Sequence, residues 1–381
     1  MGDVAAWISG AGSTRFVDAS PDTFEAMGQE AVVAAAADAE VDLRDVDLFV
    51  CGTGYGGPLA GQRIAAGIGL SGRKIVNTEN ACSSGSTALE LAVQSIANGQ
   101  ARTAVVLGID KLSALGRGAL PLSQDDPEVQ QGLIMPGVYS MRAQRYLRET
   151  GATESDLAAV AVKARRNGAL NPLARQQTAV STEDVLSSRP VADPLRLFMC
   201  CPRADGAAAV VITASPRTTP GVPRVGIRAL VLGAGRFTNG FRDMTRSELS
   251  ERMAAEAYRQ ASLGPQDMQV AEVHDAFAIA ELMYYESLGF AEPGEGWRLI
   301  RSGETDIGGR IAVNPGGGLI ARGHPVGATG IVQLCEAYWQ ITGGAGSRQV
   351  PDVRNVITHC TGGGIAGFDH GACAVSIVSA A

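Results

Sequence analysis

The feature that most constrains the fold is that the second half of the chain repeats the pattern of the first. Residues 47–53 (DLFVCGT) and 269–275 (QVAEVHD) are short apolar runs, each followed by a loop and a helix pattern. Cys82 and His324 each follow a short apolar segment and precede an amphipathic helix pattern. Two further pairs correspond: residues 104–109 with 355–360, and residues 206–214 with 371–380. Because strand and helix patterns alternate, the sequence predicts a duplicated α/β fold with helices covering β-sheets.

One segment of the first half has no counterpart in the second. Residues from about 117 to 205 interrupt the pattern before its last strand, so we predict two halves, 1–216 and 217–381, with an insertion in the first. From Arg142 to Arg203 there are ten Lys or Arg residues and six acidic residues. This excess indicates either an ordinary solvated insertion or a surface for an anionic, phosphate-bearing ligand.

Charge and composition exclude several classes of partner. The chain has 32 Lys and Arg against 39 Asp and Glu, a net charge of −7, so nucleic acid is not expected. It has no run of about 20 apolar residues, so no membrane span is expected. The seven cysteines are scattered, odd in number and lack paired zinc spacing. Together with an N-terminus that does not read as a signal peptide, they favour a reducing, cytoplasmic compartment.

Cys82 is a candidate nucleophile. It lies in NTENACSSGSTAL, where a predicted strand ends and a helix begins. The N-terminus of a helix carries partial positive charge and free N–H groups, which lower the pKa of a thiol and favour the reactive thiolate. The alternative is a buried structural cysteine. Cys51, in a strand-like run, and Cys335, in an apolar helix pattern, illustrate that alternative.

Two of the four histidines, His274 and His324, also follow predicted strands. His324 stands in NPGGGLIARGHPVGATG, where glycines leave it free of bulky neighbours, which suits acid–base work on a bound ligand. His274 stands in EVHDAFA. For both histidines a structural role is the alternative. Asp275 is expected either to orient His274 or to cap the next helix.

The fourth candidate is Cys360, which ends the strand NVITHC and precedes TGGG. N–H groups in such a turn can bind an oxyanion, although a flexible loop is the alternative. Ligands of open α/β sheets bind beyond the carboxyl ends of the strands, so all four candidates are predicted to share one site. That set fits acyl transfer with carbanion formation. Cys82 would take an acyl group, Cys360 would move a proton next to a carbonyl, and the histidines would assist both.

Three segments resemble the motifs of the thiolase superfamily: GHPVGATG around His324, NACSSGS around Cys82 and CTGGG from Cys360. The resemblance covers nearly the whole chain. It implies the thiolase fold, with two duplicated βαβαβαββ halves in five layers and a loop domain inserted into the first half. It also implies that Cys82 is the acyl-accepting nucleophile, that His324 is its activating base, and that Cys360 is the acid/base for the substrate α-carbon.

The resemblance further implies how the substrate is held. The backbone N–H groups of Cys82 and Gly362 would form the oxyanion hole. The basic loop domain, from Arg142 to Arg203, would face the phosphates of coenzyme A, with no single residue assigned. Coenzyme A would be a co-substrate, with no permanently bound cofactor or metal. A homodimer or tetramer is expected from the family.

One departure from the common thiolase pattern is His274-Asp275-Ala276-Phe277, where many members have Asn-Glu-Ala-Phe. A histidine there resembles the sterol-carrier-protein type and related bacterial and archaeal enzymes of the acetyl-CoA acetyltransferase kind. That type often has a cysteine at the position of Ala276, and Cys360 supplies the second thiol here. Some members act on bulky, branched or aromatic acyl-CoAs, and some work with a small OB-fold partner that carries a zinc ribbon.

We therefore predict an acyltransferase, a CoA-dependent thiolase that cleaves 3-oxoacyl-CoA or condenses acyl-CoAs through an acyl-Cys82 intermediate. A ketoacyl-synthase-like condensing enzyme is the first alternative, since it uses one Cys and two His on this fold. A non-catalytic lipid- or acyl-CoA-binding homologue is the second, and intact Cys82, His324 and Cys360 argue against it. An aldolase on the same fold is the third, and such relatives generally lack the nucleophile.

Overall fold

The computed structural model describes residues 4–116, 118–237, 242–367 and 369–381. Its strands are β1 (Ala6–Ser13), β2 (Leu48–Gly52), β3 (Lys74–Thr78), β4 (Thr103–Lys111), β5 (Pro190–Ala192), β6 (Leu195–Arg196), β7 (Asp205–Thr213), β8 (Val225–Gly233), β9 (Val270–Glu272), β10 (Ala312–Val313), β11 (Asn355–Gly362) and β12 (Ala372–Ala380). Its helices are α1 (Phe24–Ala39), α2 (Ala60–Ala66), α3 (Ser84–Ala97), α4 (Pro127–Gln130), α5 (Met135–Glu149), α6 (Glu154–Ala169), α7 (Thr182–Ser187), α8 (Glu248–Ala261), α9 (Ala278–Ser287), α10 (Gly296–Ser302), α11 (Gly318–Arg322) and α12 (Thr329–Thr342).

Ten strands form one mixed sheet in the order β10-β9-β11-β12-β8-β1-β7-β4-β2-β3. From the central β1–β8 pair outward, both sides have the same pattern. Each side has two antiparallel pairings followed by two parallel ones: β1-β7-β4-β2-β3 in the first half, and β8-β12-β11-β9-β10 in the second. Parallel neighbours need a crossover connection, which here is a helix. The predicted duplication is therefore confirmed.

Three buried hydrophobic clusters hold the helical layers against the two halves of the sheet. Helices α1 and α2 pack on the outer face of the first half, around Phe49 and Leu107. Helices α3 and α12 lie in the middle, packed between the two halves around Val106, Ile331 and Val356. Helices α8 and α9, with the insertion, cover the second half. The expected thiolase-type arrangement of a duplicated sheet with helical layers is thus the observed one.

The helices begin and end where the sequence supplies capping groups. Thr23 accepts the N–H of Ala26 at the start of α1, and Glu40 ends that helix in a left-handed conformation. At α7, Ser181 and Asp184 form a reciprocal capping box. These local signals fix the helix boundaries independently of the packing.

The insertion leaves the sheet after β4 and returns at β7, spanning residues 112–204. It carries helices α4 to α7 and the two-stranded sheet of β5 and β6. The division of the chain at residue 216 stays a prediction, since it falls in the connection between β7 and β8. Among the described residues, no helix is long and apolar enough to cross a membrane.

The basic character of the insertion is only partly a surface property. Arg142 is buried in an ion pair with Asp369, and Lys163 is buried with its Nζ 2.6 Å from a carboxylate oxygen of Glu281. A buried, paired cation cannot present its charge to a phosphate in solvent. The expectation that the whole basic segment from Arg142 to Arg203 faces coenzyme A is therefore wrong for these two residues.

Candidate active site

The four candidate side chains converge at one end of the sheet. Cys82 lies two residues before α3, and His274 lies two residues after β9. His324 follows α11 and precedes α12. Cys360 was expected to end its strand but lies within β11, two residues before its end. Its side chain still reaches the site, because its Sγ lies 3.1 Å from the carbonyl oxygen of Cys82.

Cys82 and His324 form a thiol–imidazole pair across the two halves. The Sγ of Cys82 lies 3.2 Å from Nε2 of His324. The other ring nitrogen, Nδ1, lies 2.7 Å from the hydroxyl of Thr329, and that hydroxyl donates to the carbonyl of Pro325. Because the Thr329 hydroxyl donates its only hydrogen to Pro325, it must accept a hydrogen bond from Nδ1–H of His324. Nε2 is then the unprotonated nitrogen, so the base faces the thiol.

Cys360 and His274 form a second thiol–imidazole pair, with 3.4 Å between Sγ and Nδ1. A thiol has one hydrogen, so Cys360 can donate it either to the carbonyl of Cys82 or to His274, but not to both. This pair is more deeply buried than Cys82, which is half-buried. The pair lies on the buried side of Cys82, where it can exchange a proton with a ligand bound next to both thiols.

The two histidine rings meet edge to face, with 5.1 Å between their centroids. One ligand atom from each of Cys82, His274 and His324 can be chosen such that all three lie within 4.8 Å of one another. Thiolate and imidazole are ligands for zinc, so the geometry could hold a soft divalent ion at the expense of the free thiol.

Burial sets the protonation states of the first pair. It raises the pKa of the Cys82 thiol to about 12, although hydrogen bonds from the backbone N–H groups of Gly363 and Cys82 itself act in the opposite direction. The expectation that the start of α3 leaves Cys82 as a thiolate is therefore wrong for the free protein. Burial also lowers the pKa of His324 to about 4. The resting pair is neutral, and a proton moves only when a substrate stabilises the charge that results.

The glycines after Cys360 lie against the loop that carries the nucleophile. Gly362 ends β11, where an added Cβ would lie 2.2 Å from the carbonyl of Asn80, so only glycine fits without displacing that loop. The N–H that points at the sulfur of Cys82 belongs to Gly363, one residue beyond the predicted Gly362. The predicted oxyanion hole of Cys82 and Gly362 stays a prediction.

Asp275 caps a helix, but not the helix that follows it in sequence. Its carboxylate accepts the N–H groups of Leu319, at 2.6 Å, and Ile320, at 3.3 Å. These are in the first turn of α11, not of α9, the helix that follows Asp275 in sequence. Asp275 thereby fastens the segment that carries His274 to the helix that ends just before His324. It positions the two histidines relative to each other.

Sequence reasoning missed a second positioning carboxylate, Asp110, at the end of β4. It is buried and accepts hydrogen bonds from the hydroxyl of Thr53 and from the N–H groups of Gly54, Tyr55 and Gly327. The bond to Gly327 holds the loop of His324 against the first half. Thr329, which sets the tautomer of His324, was also missed. The only available signal was that Thr329 lies five residues after the histidine, in the same glycine-rich motif.

The remaining cysteines behave as structural residues. Cys51 in β2 and Cys335 in α12 are buried, as the alternative interpretation expected. Cys200 is half-buried like Cys82, and burial raises its pKa to about 12. Its Sγ bonds to the carbonyl of Arg196. Cys200 therefore provides an internal comparison for a partly accessible thiol outside the site.

Comparisons with known proteins establish the family to which the chain belongs. Residues 7–215 match the thiolase N-terminal domain, and residues 237–369 match the thiolase C-terminal domain-like family. The chain is 38% identical over 369 residues to the benzoylsuccinyl-CoA thiolase subunit BbsB of Thauera aromatica, covering 94% of each chain. It is 38% identical over 374 residues to an acetyl-CoA acetyltransferase of Methanothermobacter thermautotrophicus, covering 95% of this chain and 97% of that protein.

Solved structures include a neighbour described as the Ltp2-ChsH2(DUF35) aldolase. It has a TM-score of 0.84 and 27% sequence identity, and covers 98% of this chain and 97% of the other. The chain therefore belongs to the thiolase family. Within that family it is an acyltransferase with CoA-dependent thiolase activity, as its curated relatives indicate.

Proposed function

We propose that the protein cleaves a 3-oxoacyl-CoA with coenzyme A through an acyl group carried on Cys82, and that the same steps run in reverse as a condensation. The observation that carries this proposal is the Cys82–His324 pair at 3.2 Å, with the tautomer of the histidine set by Thr329. A neutral imidazole whose free nitrogen faces a neutral thiol is the arrangement that general-base activation of a nucleophile requires.

The proposed first half-reaction uses all four side chains. Nε2 of His324 takes the proton of Cys82 as its sulfur attacks the 3-oxo carbon. The bond between C2 and C3 then breaks, the acyl group remains on sulfur as a thioester, and the electron pair leaves as the enolate of the shorter acyl-CoA. Cys360 gives its proton to C2 of that enolate, and His274 stabilises the enolate oxygen. In the second half-reaction the thiol of coenzyme A gives its proton to the Cys360 thiolate and its sulfur attacks the thioester, so that the sulfur of Cys82 leaves and regains the proton held by His324.

Substrate class follows from the curated relatives and remains part of the proposal. One of them is named for benzoylsuccinyl-CoA, and another is an acetyl-CoA acetyltransferase. Both are named for CoA thioesters, and the first of these acyl groups is bulky and aromatic. This supports an acyl-CoA larger than acetyl-CoA as one substrate. The exposed part of the insertion remains the proposed face for the coenzyme A phosphates.

An aldolase is the second candidate function, because one solved neighbour with 27% identity bears that description. A retro-aldol cleavage of a 3-hydroxyacyl-CoA needs a base but no thioester on the protein. The intact Cys82–His324 pair favours acyl transfer. A ketoacyl-synthase-like enzyme would use the same pair but does not need Cys360.

The experiment is intact-protein mass spectrometry after brief incubation with linear, branched and aromatic acyl-CoAs. The expected result is a mass gain equal to the acyl group, mapped to Cys82, in the wild-type and Cys200→Ala proteins and absent in Cys82→Ala. Cys200 is the matched control, since burial gives it the same pKa of about 12 without a neighbouring histidine. No adduct on Cys82 with any acyl-CoA would contradict the proposal and favour the aldolase or a binding function.

A second subunit is a separate part of the proposal. The BbsB relative is named as a subunit, and the aldolase neighbour is named with a DUF35 component. We infer that a small OB-fold partner of that kind assists substrate binding, and that the chain itself forms a homodimer or tetramer. An isolated chain that takes an acyl group on Cys82 but fails to complete thiolysis supports the need for a partner, whereas complete turnover contradicts it.

A further inference from the structure

A pocket lies beside the proposed active site, between the insertion and the loop that follows β11. Its lining includes Met135, Tyr139 and Arg142 of α5, and Gly364. Tyr139 stacks on Phe277, three residues after His274, with 4.5 Å between the ring centroids. Gly364 directly follows the glycine whose N–H points at Cys82. The pocket therefore adjoins the place where an acyl group on Cys82 would extend.

Nitrogen donors without partners converge on this pocket. Nε of Arg142 and Nε of Arg242 are buried, and neither has a hydrogen-bond partner among the described residues. Tyr139 can donate its hydroxyl hydrogen to Nε2 of His370, at 3.1 Å, which leaves the hydrogen of the ring on Nδ1, 3.5 Å from a carboxylate oxygen of Asp369. Buried donors left unpaired are costly, so such a cluster indicates a missing acceptor.

Two of the three acidic groups that line the pocket, Asp126 and Asp369, are already occupied. Asp369 is paired with Arg142 and accepts from the hydroxyl of Ser247 at 2.6 Å. Although burial alone would raise the pKa of Asp369, His370 and Arg142 hold it well below its usual value. Asp126 accepts three backbone N–H groups, including that of Ala366. The carboxylates are thus saturated by other donors.

Arg242 is the cation of the pocket without a matching anion. Among the described residues it forms no ion pair within 4 Å, and Glu128, which influences it electrostatically, is exposed. Burial, and then the nearby Arg142, lower the pKa of Arg242, as expected for a guanidinium held next to another one. A planar anion that accepts from both guanidinium groups would relieve this arrangement.

We propose that this pocket binds a carboxylate carried on the acyl group of the substrate, and that Arg242 selects for it. The proposal rests on the thiolase function proposed above, since it assigns the acyl part of that substrate. It makes the acyl donor a dicarboxylic acyl-CoA and not a simple fatty acyl-CoA. Arg142 contributes its unpaired Nε while remaining bound to Asp369.

The test compares the affinity of matched acyl-CoAs for the Cys82→Ala protein, which cannot transfer the acyl group. The pairs are succinyl- with butyryl-CoA, glutaryl- with valeryl-CoA, and adipyl- with hexanoyl-CoA, measured by isothermal titration calorimetry. In at least one pair the dicarboxylic compound should bind about 10- to 100-fold more tightly, as expected for a charge-assisted hydrogen bond. Adding Arg242→Gln should bring the ratio of the two affinities close to one.

The control is Arg259→Gln in the same background, because Arg259 is an exposed cation paired with Glu256 on α8. It removes one positive charge and should leave the ratio of affinities unchanged. Equal affinities in all three pairs, a preference that persists in Arg242→Gln, or no binding of either compound would each overturn the proposal. The acyl adduct on wild-type Cys82 is measured separately, so failure of the carboxylate pocket is distinguishable from failure of the thiolase function.

Discussion

The two halves of the molecule share one strand pattern but contribute to the site unequally. The first half supplies only Cys82 of the four candidate side chains, and all four histidines of the chain lie in the second half. Gly52 of β2 lies opposite Gly108 of β4 in the first half. The corresponding strands of the second half are β9 and β11, with Glu272 opposite Thr358. Continuing that register by two residues places His274 opposite Cys360.

By the correspondence of residues 47–53 with 269–275, Gly52 stands where the second half has His274. The register then places Gly108 where the second half has Cys360, one residue beyond the correspondence of 104–109 with 355–360. A Cβ at Gly52 would lie 2.5 Å from the carbonyl of Ser84, at the start of α3. A Cβ at Gly108 would lie 2.4 Å from the carbonyl of Gly327. The absence of side chains at Gly52 and Gly108 lets two backbone segments pack closely against these strands. One of the two segments is the loop that brings His324 to Cys82. The first half therefore provides space for close backbone packing, and the second half provides most of the reactive side chains.

The largest effect is expected from removing the acid/base thiol of the second half. Cys360→Ala should lower the rate of carbon–carbon cleavage by about 10³-fold, in the range of general acid–base contributions, while Cys82 still takes an acyl group from acyl-CoA. Thiolysis kinetics and adduct mass on the same preparation measure the two steps. Cys335→Ala, another buried thiol outside the site, is the control. Loss of acylation alone in Cys360→Ala would reverse the assigned roles.

Adding a side chain at one of these first-half glycines should have the second-largest effect. Gly108→Ala puts a methyl group against the backbone at Gly327, so the loop of His324 must shift, and we expect a fall in kcat of about 10²-fold. Overpacking should also lower the free energy of unfolding by about 1–3 kcal/mol in urea titrations. Gly344→Ala is the matched control, because its nearest atom would lie at an ordinary 3.6 Å. Wild-type kcat in Gly108→Ala would mean that close approach here is not needed for the site.

Replacing the second-half histidine by an amide should have a smaller effect. His274→Asn should lower kcat for thiolysis by only about tenfold, because an amide N–H can still donate to the enolate oxygen, whereas loss of a proton carrier costs about 10²–10⁴-fold. Steady-state kinetics across pH measure this, with His359→Asn as a comparison variant because the ring of His359 bonds to Ser250 of α8. A complete loss of cleavage in His274→Asn would mean that the histidine transfers a proton itself.

The smallest effect concerns acid stability. Burial lowers the pKa of His324 to about 4, below its usual value near 6.5 when unfolded, so the unfolded chain binds the proton more readily. The contribution of neutral His324 to the free energy of unfolding is fully present above about pH 6.5 and is lost as the pH falls towards 4. Between pH 5 and 6, His324→Asn should reduce the slope of unfolding free energy against pH by about 1 kcal/mol per unit. Urea titrations at several pH values measure the slope, and an unchanged slope would contradict a neutral buried His324.

Much of the fold was readable from the sequence because duplication, apolar periodicity and glycine-rich turns are local signals. They led to the thiolase-type α/β fold and to four segments that the structure brings together. The thiolate expected at Cys82 was wrong because burial, a property of the packed molecule, outweighs the start of α3. Asp110 could not be identified, and the partners of Asp275 could not be predicted, since each acts through backbone N–H groups distant in sequence. A count of charges also could not predict that Arg142 and Lys163 are buried in ion pairs with acidic residues.

The bond from Asp110 to Gly327 also has a consequence for synthesis of the chain. Cys82 and His324 are 242 residues apart in sequence. During translation the first half leaves the ribosome with its thiol but without the imidazole that activates it. The nucleophile stays inactive until residues up to Thr329 have emerged and the His324 loop has docked on Asp110. A truncated or incompletely folded product therefore carries an inert cysteine and does not consume thioesters prematurely.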